Sequence, residues 1–246
     1  MKIETILSPA ELPALAGQNL SVTACVVFDI LRATSTFVTA LQNGAHAIVP
    51  VSGISEAMVL HDKHPRFLLA GERDGLKIQA WQSGGVDFDF GNSPREFTAS
   101  AIGGKTIVST TTNGTRALRA CTGGKLVLAA AFLNLAATAK FLQLKKFKEI
   151  LLVCAGTGTG VAMEDVLAAG ALAEMLAGEE SDATTTARQT WLRLGASLEK
   201  AIAGSKNGQR LLAIPGLRGD VAFCAQRDVI ELVAGLDRSN KLKRID

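Results

Sequence analysis

The chain has 246 residues, 26 Lys and Arg against 23 Asp and Glu, a formal net charge of +3 and a 48% hydrophobic fraction. That length buries roughly three-quarters of the unfolded surface, and the balanced composition excludes a disordered chain and one that depends on disulfide staples. Lys and Arg are scattered, and the only basic run, Lys241–Arg244, reads as a solvated tail rather than a nucleic-acid arm. The longest strongly apolar run, Leu126–Ala139, is interrupted by Asn134 and is too short to cross a bilayer. Cys25, Cys121, Cys154 and Cys224 form no CxxC pair, and three lie in apolar runs. With no signal-peptide pattern at the N-terminus, they read as buried free thiols of a cytoplasmic protein.

In chain order, short β-branched runs alternate with helix-patterned segments. Strands are expected at Val22–Asp29, Ala47–Val51, Phe67–Gly71, Lys105–Ser109, Lys125–Ala129 and Glu149–Cys154. Several are continuous apolar runs, as strands covered on both faces require. Helices are expected at Thr34–Asn43, Ile54–Lys63, Gly114–Cys121, Leu133–Leu144 and Met163–Ala177. Ser93-Pro94-Arg95-Glu96 has the composition of a capping box. The stretch Glu72–Asn92 has no clear period and reads as a long functional loop. Beyond Gly178 the pattern is helical over Thr184–Ala203 and Asn207–Leu212, with a strand-like Val221–Ala225. The alternation predicts an α/β fold of three α/β/α layers with a largely parallel or mixed sheet. The 246 residues read as one unit, with room for two related halves meeting near residues 120–150.

In open α/β sheets, ligands bind beyond the carboxyl ends of the strands. Four expected strand ends carry the same chemistry. The first is followed by Asp29, Arg32, Thr34, Ser35 and Thr36; the third by Glu72, Arg73 and Asp74; the fourth by Thr110, Thr111, Thr112, Asn113, Gly114 and Arg116; the sixth by Thr157, Glu164 and Asp165. Glycine turns at helix starts offer free N–H groups to an anion, hydroxyls add donors, and Arg supplies a planar fork. Carboxylates in such a basin repel an anion unless a cation neutralises them, which points to a phosphate or sulfonate site with Mg²⁺. Known phosphatase signatures are missing: there is no DxDx[TV], no Cys followed six residues later by Arg, and no Walker A lysine. The GTGTG turn also fails the GxGxxG spacing of a dinucleotide loop.

Six blocks, Phe28–Ala45, Gly71–Gly75, Phe90–Phe97, Thr110–Leu118, Cys154–Leu172 and Asp220–Asp228, resemble in the same order segments of the 2-phosphosulfolactate phosphatases. Only Trp81–Pro94 departs from that family's glycine- and Phe-led approach to its GNSP motif. The resemblance implies Mg²⁺-dependent release of phosphate to leave 3-sulfolactate, a role in coenzyme M biosynthesis, two related α/β/α halves and a homodimer. It also suggests roles: Asp29, Glu72 and Glu164 or Asp165 on the metal, with Asp29, Arg32, Glu72 and Arg73 at the reaction centre. Arg32, Arg73 and Arg116, together with Thr34, Ser35, Asn92, Ser93, Thr110 to Gly114 and Thr157, would then bind a substrate of about −4 charge. Attack by water and by Asp29 through a phosphoenzyme both satisfy this set. Another small phosphorylated acid as substrate, or a phosphometabolite-binding protein without turnover, are the competing readings.

Overall fold

In the computed structural model, which describes residues 1–246, the N-terminal half forms β1 (Lys2–Ile6), β2 (Thr23–Phe28), α1 (Ala33–Gln42), β3 (Ala47–Pro50), α2 (Ile54–Lys63), β4 (Leu68–Arg73), β5 (Leu76–Lys77), α3 (Ala80–Ser83), α4 (Ala99–Ile102), β6 (Thr106–Thr110) and α5 (Gly114–Ala120). The C-terminal half forms β7 (Leu126–Ala130), α6 (Leu135–Lys145), β8 (Glu149–Cys154), α7 (Met163–Met175), β9 (Glu179–Glu180), α8 (Asp182–Leu194), α9 (Leu198–Gly204), α10 (Lys206–Ala213), α11 (Arg218–Cys224), β10 (Ala234–Leu236) and β11 (Leu242–Arg244). All eleven strands join one mixed sheet, ordered β5-β4-β6-β3-β11-β10-β7-β2-β8-β1-β9, between helical layers.

The sheet consists of two parallel blocks. β4, β6 and β3 form one; β7, β2, β8, β1 and β9 form the other. The antiparallel pair β10–β11 lies between them and pairs antiparallel with β7 on one side and β3 on the other. Three antiparallel steps in succession make the blocks run in opposite directions. The mean twist of 20–25° per strand accumulates over the five steps from β2 to β6 to roughly 100–125°. Carboxyl ends that a flat sheet would hold apart therefore meet: a Cβ built on Gly114, after β6, would lie 2.6 Å from Asp29 Oδ2, after β2. One apolar cluster of 60 buried residues runs through both blocks, and every residue of β2 is buried.

Each of the six strands and five helices expected from periodicity is present, with ends within about two residues of the sequence reading. Four readings are corrected. Val221–Ala225 is helical, because Asp220, Val221 and Cys224 turn inward at helical spacing. The helical stretch Thr184–Ala203 breaks at Gly195–Ser197 into α8 and α9. Lys241–Arg244 is no solvated tail: Leu242 is fully buried, and β11 fills the seam between the blocks. Ser93 makes no cap, since its Oγ donates to Asp220 while Glu96 accepts from Gly91 N–H. All four cysteines are buried and free, as expected.

Candidate active site

A cleft of about 260 Å³ opens where the two sets of strand ends meet, and only Leu31 and Leu211 among its lining residues are apolar. The β2 end contributes Asp29 and Arg32, the β4 end Glu72, Asp74 and Gly75, the β6 end Thr111, Thr112 and Asn113, and the β8 end Thr157 and Gly158. Asn92 and, from α10, Asn207 and Arg210 complete it. The four strand ends singled out from sequence do converge.

Asp29 is at the centre. Its backbone is locked by Thr34, whose hydroxyl donates to Asp29 C=O and accepts from Asp29 N–H, a local side-chain turn at the start of α1. Its Oδ1 accepts one hydrogen bond, 3.1 Å long, from Ala33 N–H. Glycine at 114 is a steric necessity, because a Cβ there would also come within 2.5 Å of Ala33 Cβ. Burial, reinforced by the charges of Glu72 and Glu164, pushes the Asp29 carboxyl up to about 7, against the N–H groups of Ala33 and Gly114. That carboxyl is short of positive charge and of donors.

Glu72 is better served. The β4–β5 connection is the two-residue turn Asp74-Gly75, with φ of 56° and 80°, the geometry of a tight hairpin that Asp-Gly favours. Glu72 Oε2 accepts from Gly75 N–H at 2.8 Å, and Oε1 from Thr112 N–H at 2.9 Å and Thr112 Oγ1 at 2.8 Å. One carboxylate thus ties the hairpin to the loop after β6. The long stretch Glu72–Asn92 is accordingly built rather than loose, with this hairpin, the short α3, and Leu69 N–H bonded to Asp89.

Beyond Arg32 stands a node centred on a fully buried acid. Asp220, on α11, accepts from Arg32 Nη1 at 2.8 Å, Arg95 Nε at 2.8 Å and Ser93 Oγ at 2.7 Å. Arg32 Nη2 donates to Gly75 C=O at 2.6 Å, reaching the hairpin from inside. On the opposite wall, Asn207 Nδ2 donates to Glu164 Oε1 at 2.6 Å and Thr157 Oγ1 at 2.7 Å. Glu164 Oε2 is buried and has no hydrogen-bond partner. Asp165 is different: Ile30 N–H and Gly156 N–H occupy its two oxygens at 2.8 and 3.0 Å, tying the β2 and β8 ends together. Burial, then the charges of Glu164 and Asp29, still hold its carboxyl well above the ordinary range.

Of the residues expected at the site, Asp29, Arg32, Glu72, Asn92, Thr111, Thr112, Asn113 and Thr157 line the cleft. Thr34, Ser35, Ser93, Thr110 and Arg73 stand behind it. Ser35 Oγ bonds Ile30 C=O, and Arg73 bridges Glu72 C=O to Thr110. Arg116 lies in a separate groove with Pro9, Leu12 and Arg119. Asp74, which follows Glu72 and Arg73 at the third strand end, lines the cleft as well, whereas Asn207, Arg210 and Asp220 were not anticipated as site residues. Asp220 opens one of the family-like blocks, whereas Asn207 and Arg210 sit in a polar helical stretch far from any strand end.

The carboxylates invite a cation. No three acidic, histidine or cysteine side chains stand close enough to enclose an ion unaided. Mg²⁺ ordinarily keeps waters and takes only one or two carboxylates plus a substrate oxygen, so a cage is not required. The under-bonded Asp29, the orphaned Glu164 Oε2 and cleft-lining Glu72 fit such an ion chemically.

The family model for 2-phosphosulpholactate phosphatase matches residues 9–239. A protein of Thermotoga maritima is 39% identical over 86% of this chain and 88% of its own length, and one of Clostridium novyi is 33% identical over 95% and 96%. One from Symbiobacterium thermophilum is 36% identical over 92% and 94%. Each carries the name "Probable 2-phosphosulfolactate phosphatase".

Proposed function

The chain belongs to the 2-phosphosulpholactate phosphatase family, and we propose from that membership and from the cleft that it hydrolyses the phosphate ester of 2-phosphosulfolactate with Mg²⁺. Inorganic phosphate and 3-sulfolactate would be the products. A place in coenzyme M biosynthesis and a homodimer belong to the same proposal and rest on the family resemblance alone.

The observation that carries the reading is the charge balance of the cleft. Its lining holds the carboxylates of Asp29, Glu72 and Asp74 against the guanidiniums of Arg32 and Arg210, and Arg32 is already matched to Asp220. A substrate of about −4 charge meets net repulsion there, and desolvating its acid groups adds to the cost. A divalent cation removes that repulsion.

Asp29 and Glu72 would hold the ion from the cleft wall, with Glu164 behind Asn207. Mg²⁺ held there would supply charge neutralisation and Lewis-acid activation of the ester. The chain supplies position. Thr34 and Ala33 aim the Asp29 carboxylate, Glu72 fixes the hairpin against Thr112, and Arg32 holds the hairpin from within. Asn92, whose C=O accepts from Thr36 Oγ1, joins Asn113 and Thr157 in offering neutral donors to phosphoryl oxygens. Displacement at phosphorus then depends mainly on preorganised charge. Asp29 attacks phosphorus or orients the attacking water, the P–O ester bond breaks, and the sulfolactate oxygen leaves and takes a proton from water. In the direct case water then hydrolyses the phosphoenzyme, so oxygen-18 from solvent enters phosphate only at that second step.

A phosphate-release assay on 2-phosphosulfolactate tests the reading. Release with Mg²⁺, its loss on chelation and its return on adding Mg²⁺ are expected. No release under any of these conditions would refute it.

A further inference from the structure

We propose that Arg210 is the specificity residue of the cleft, recognising one of the two acid groups, sulfonate or carboxylate, that the substrate carries on its carbon skeleton beside the phosphate ester. Asp74 is its resting partner. The inference rests on the phosphatase reading above and goes beyond it by assigning the part of the ligand that does not react.

The other guanidiniums near the site are committed. Arg32 is bonded to Asp220 and Gly75 C=O, Arg73 to Glu72 C=O and Thr110, and Arg95 to Asp220 and Gly216 C=O. Arg210 lines the cleft and has a single charged neighbour, Asp74 Oδ1 at 3.6 Å, too long for a hydrogen bond. Its side chain is 46% exposed and that of Asp74 is 97% exposed. An ion pair so exposed is worth at most about 1 kcal/mol, so a sulfonate or carboxylate that accepts two N–H bonds from the fork displaces Asp74 readily.

The mount is rigid where it needs to be. Ser205 caps α10, its Oγ accepting from Gly208 N–H at 3.0 Å. Leu211, buried at the cleft wall, packs α10 down beside it. One turn before Arg210, on the same face, Asn207 is fixed to Glu164 and Thr157. Arg210 also lies over the Asp74-Gly75 turn, where a Cβ on Gly75 would stand 3.9 Å from its Nη2. The side chain therefore faces a cleft otherwise dominated by carboxylates. An anion away from the metal-binding acids has no other free positive partner there.

The test is the ratio of kcat/KM for 2-phosphosulfolactate to kcat/KM for phenyl phosphate, a monoester without an acid group. Arg210→Met should lower the ratio roughly 30-fold, the effect of losing one charge-assisted contact, chiefly through KM. Arg210→Lys should restore part of the loss. Asp74→Asn should raise the ratio a few-fold by removing the competitor. An unchanged ratio in Arg210→Met, including one reached by equal losses on both esters, would overturn the inference and leave Arg210 a clamp on the hairpin. A wild-type chain inactive on 2-phosphosulfolactate but active on 2-phosphoglycerate counts against the substrate assignment alone, and the ratio is then read with that ester. A wild-type chain that prefers no acid-bearing ester overturns the inference outright.

Discussion

Asp29, in the cleft, and Asp220, behind it, are both buried aspartates, and their charges are met in opposite ways. Asp220 receives two guanidiniums and a hydroxyl within 2.8 Å. Asp29 has only the backbone N–H groups of Ala33, at 3.1 Å, and Gly114 to meet its charge, and burial, with the charges of Glu72 and Glu164, raises it to about 7. Of these two, the carboxylate whose charge is matched by guanidiniums is a fastening, and the one left without a positive partner is held for something that arrives later. Asp165, filled by two backbone N–H groups, falls with Asp220 despite standing beside Glu164.

Substitution should separate the two kinds sharply. Asp29→Asn is expected to reduce phosphate release roughly 10²- to 10⁴-fold while making the fold more stable above neutral pH. The sign follows from the raised carboxyl. The unfolded chain loses the Asp29 proton near its ordinary value and the folded chain near 7, so Asp29 subtracts stability progressively as pH climbs through that window. Melting temperatures of wild type and variant should therefore coincide below about pH 4 and diverge in favour of the variant by pH 8. A variant less stable than wild type at pH 8 would put Asp29 with Asp220.

Asp220→Ala should do the reverse, leaving Arg32 and Arg95 without their shared acid. A loss of about 3–5 kcal/mol is expected on removing one side of a buried pair, a fall in melting temperature of roughly 10 °C for a chain of this size. A fall of only a degree or two would show that the node is not the fastening its geometry suggests. Next in size is Gly114→Ala, which forces a methyl against Ala33 and Asp29 Oδ2. About 1–3 kcal/mol of destabilisation is expected from the overpacking, with a drop in turnover because the group displaced is Asp29 itself. Unaltered kinetics would mean that the meeting of the two strand ends tolerates slack. Glu164→Gln is the finest probe. Removing one of the charges that press on Asp29 should move the midpoint of the pH-dependent stability loss downward, by less than about 1.4 kcal/mol in free energy.

The uneven bonding also explains how far the molecule could be read from its sequence. β2, β4, β6 and β8 announce themselves as apolar runs, and each is followed at once by Asp29, Glu72, Thr110–Asn113 or Thr157, so the cleft's main chemistry was legible locally. What joins those ends was not. Leu242 is one apolar residue among charged neighbours, yet it places β11 in the seam and makes the blocks antiparallel. Val221–Ala225 is too short an apolar run to reveal its period, and its helical spacing shows only once Asp220 is seen to turn inward with Val221 and Cys224. Asn207 and Arg210 reach the cleft only because α10 folds back across it. Whether an acid is filled or starved depends on such distant partners, and composition around Asp29, Asp165 and Asp220 is silent on it.

A calorimetric titration of Mg²⁺ into the wild-type chain and into Asp29→Asn at pH 8 probes the starved acid directly. One ion per chain should bind the wild type, and binding should be weakened at least tenfold in the variant. Equal affinity in both proteins, or no binding to either, would contradict the assignment of Asp29 as a carboxylate waiting for a cation.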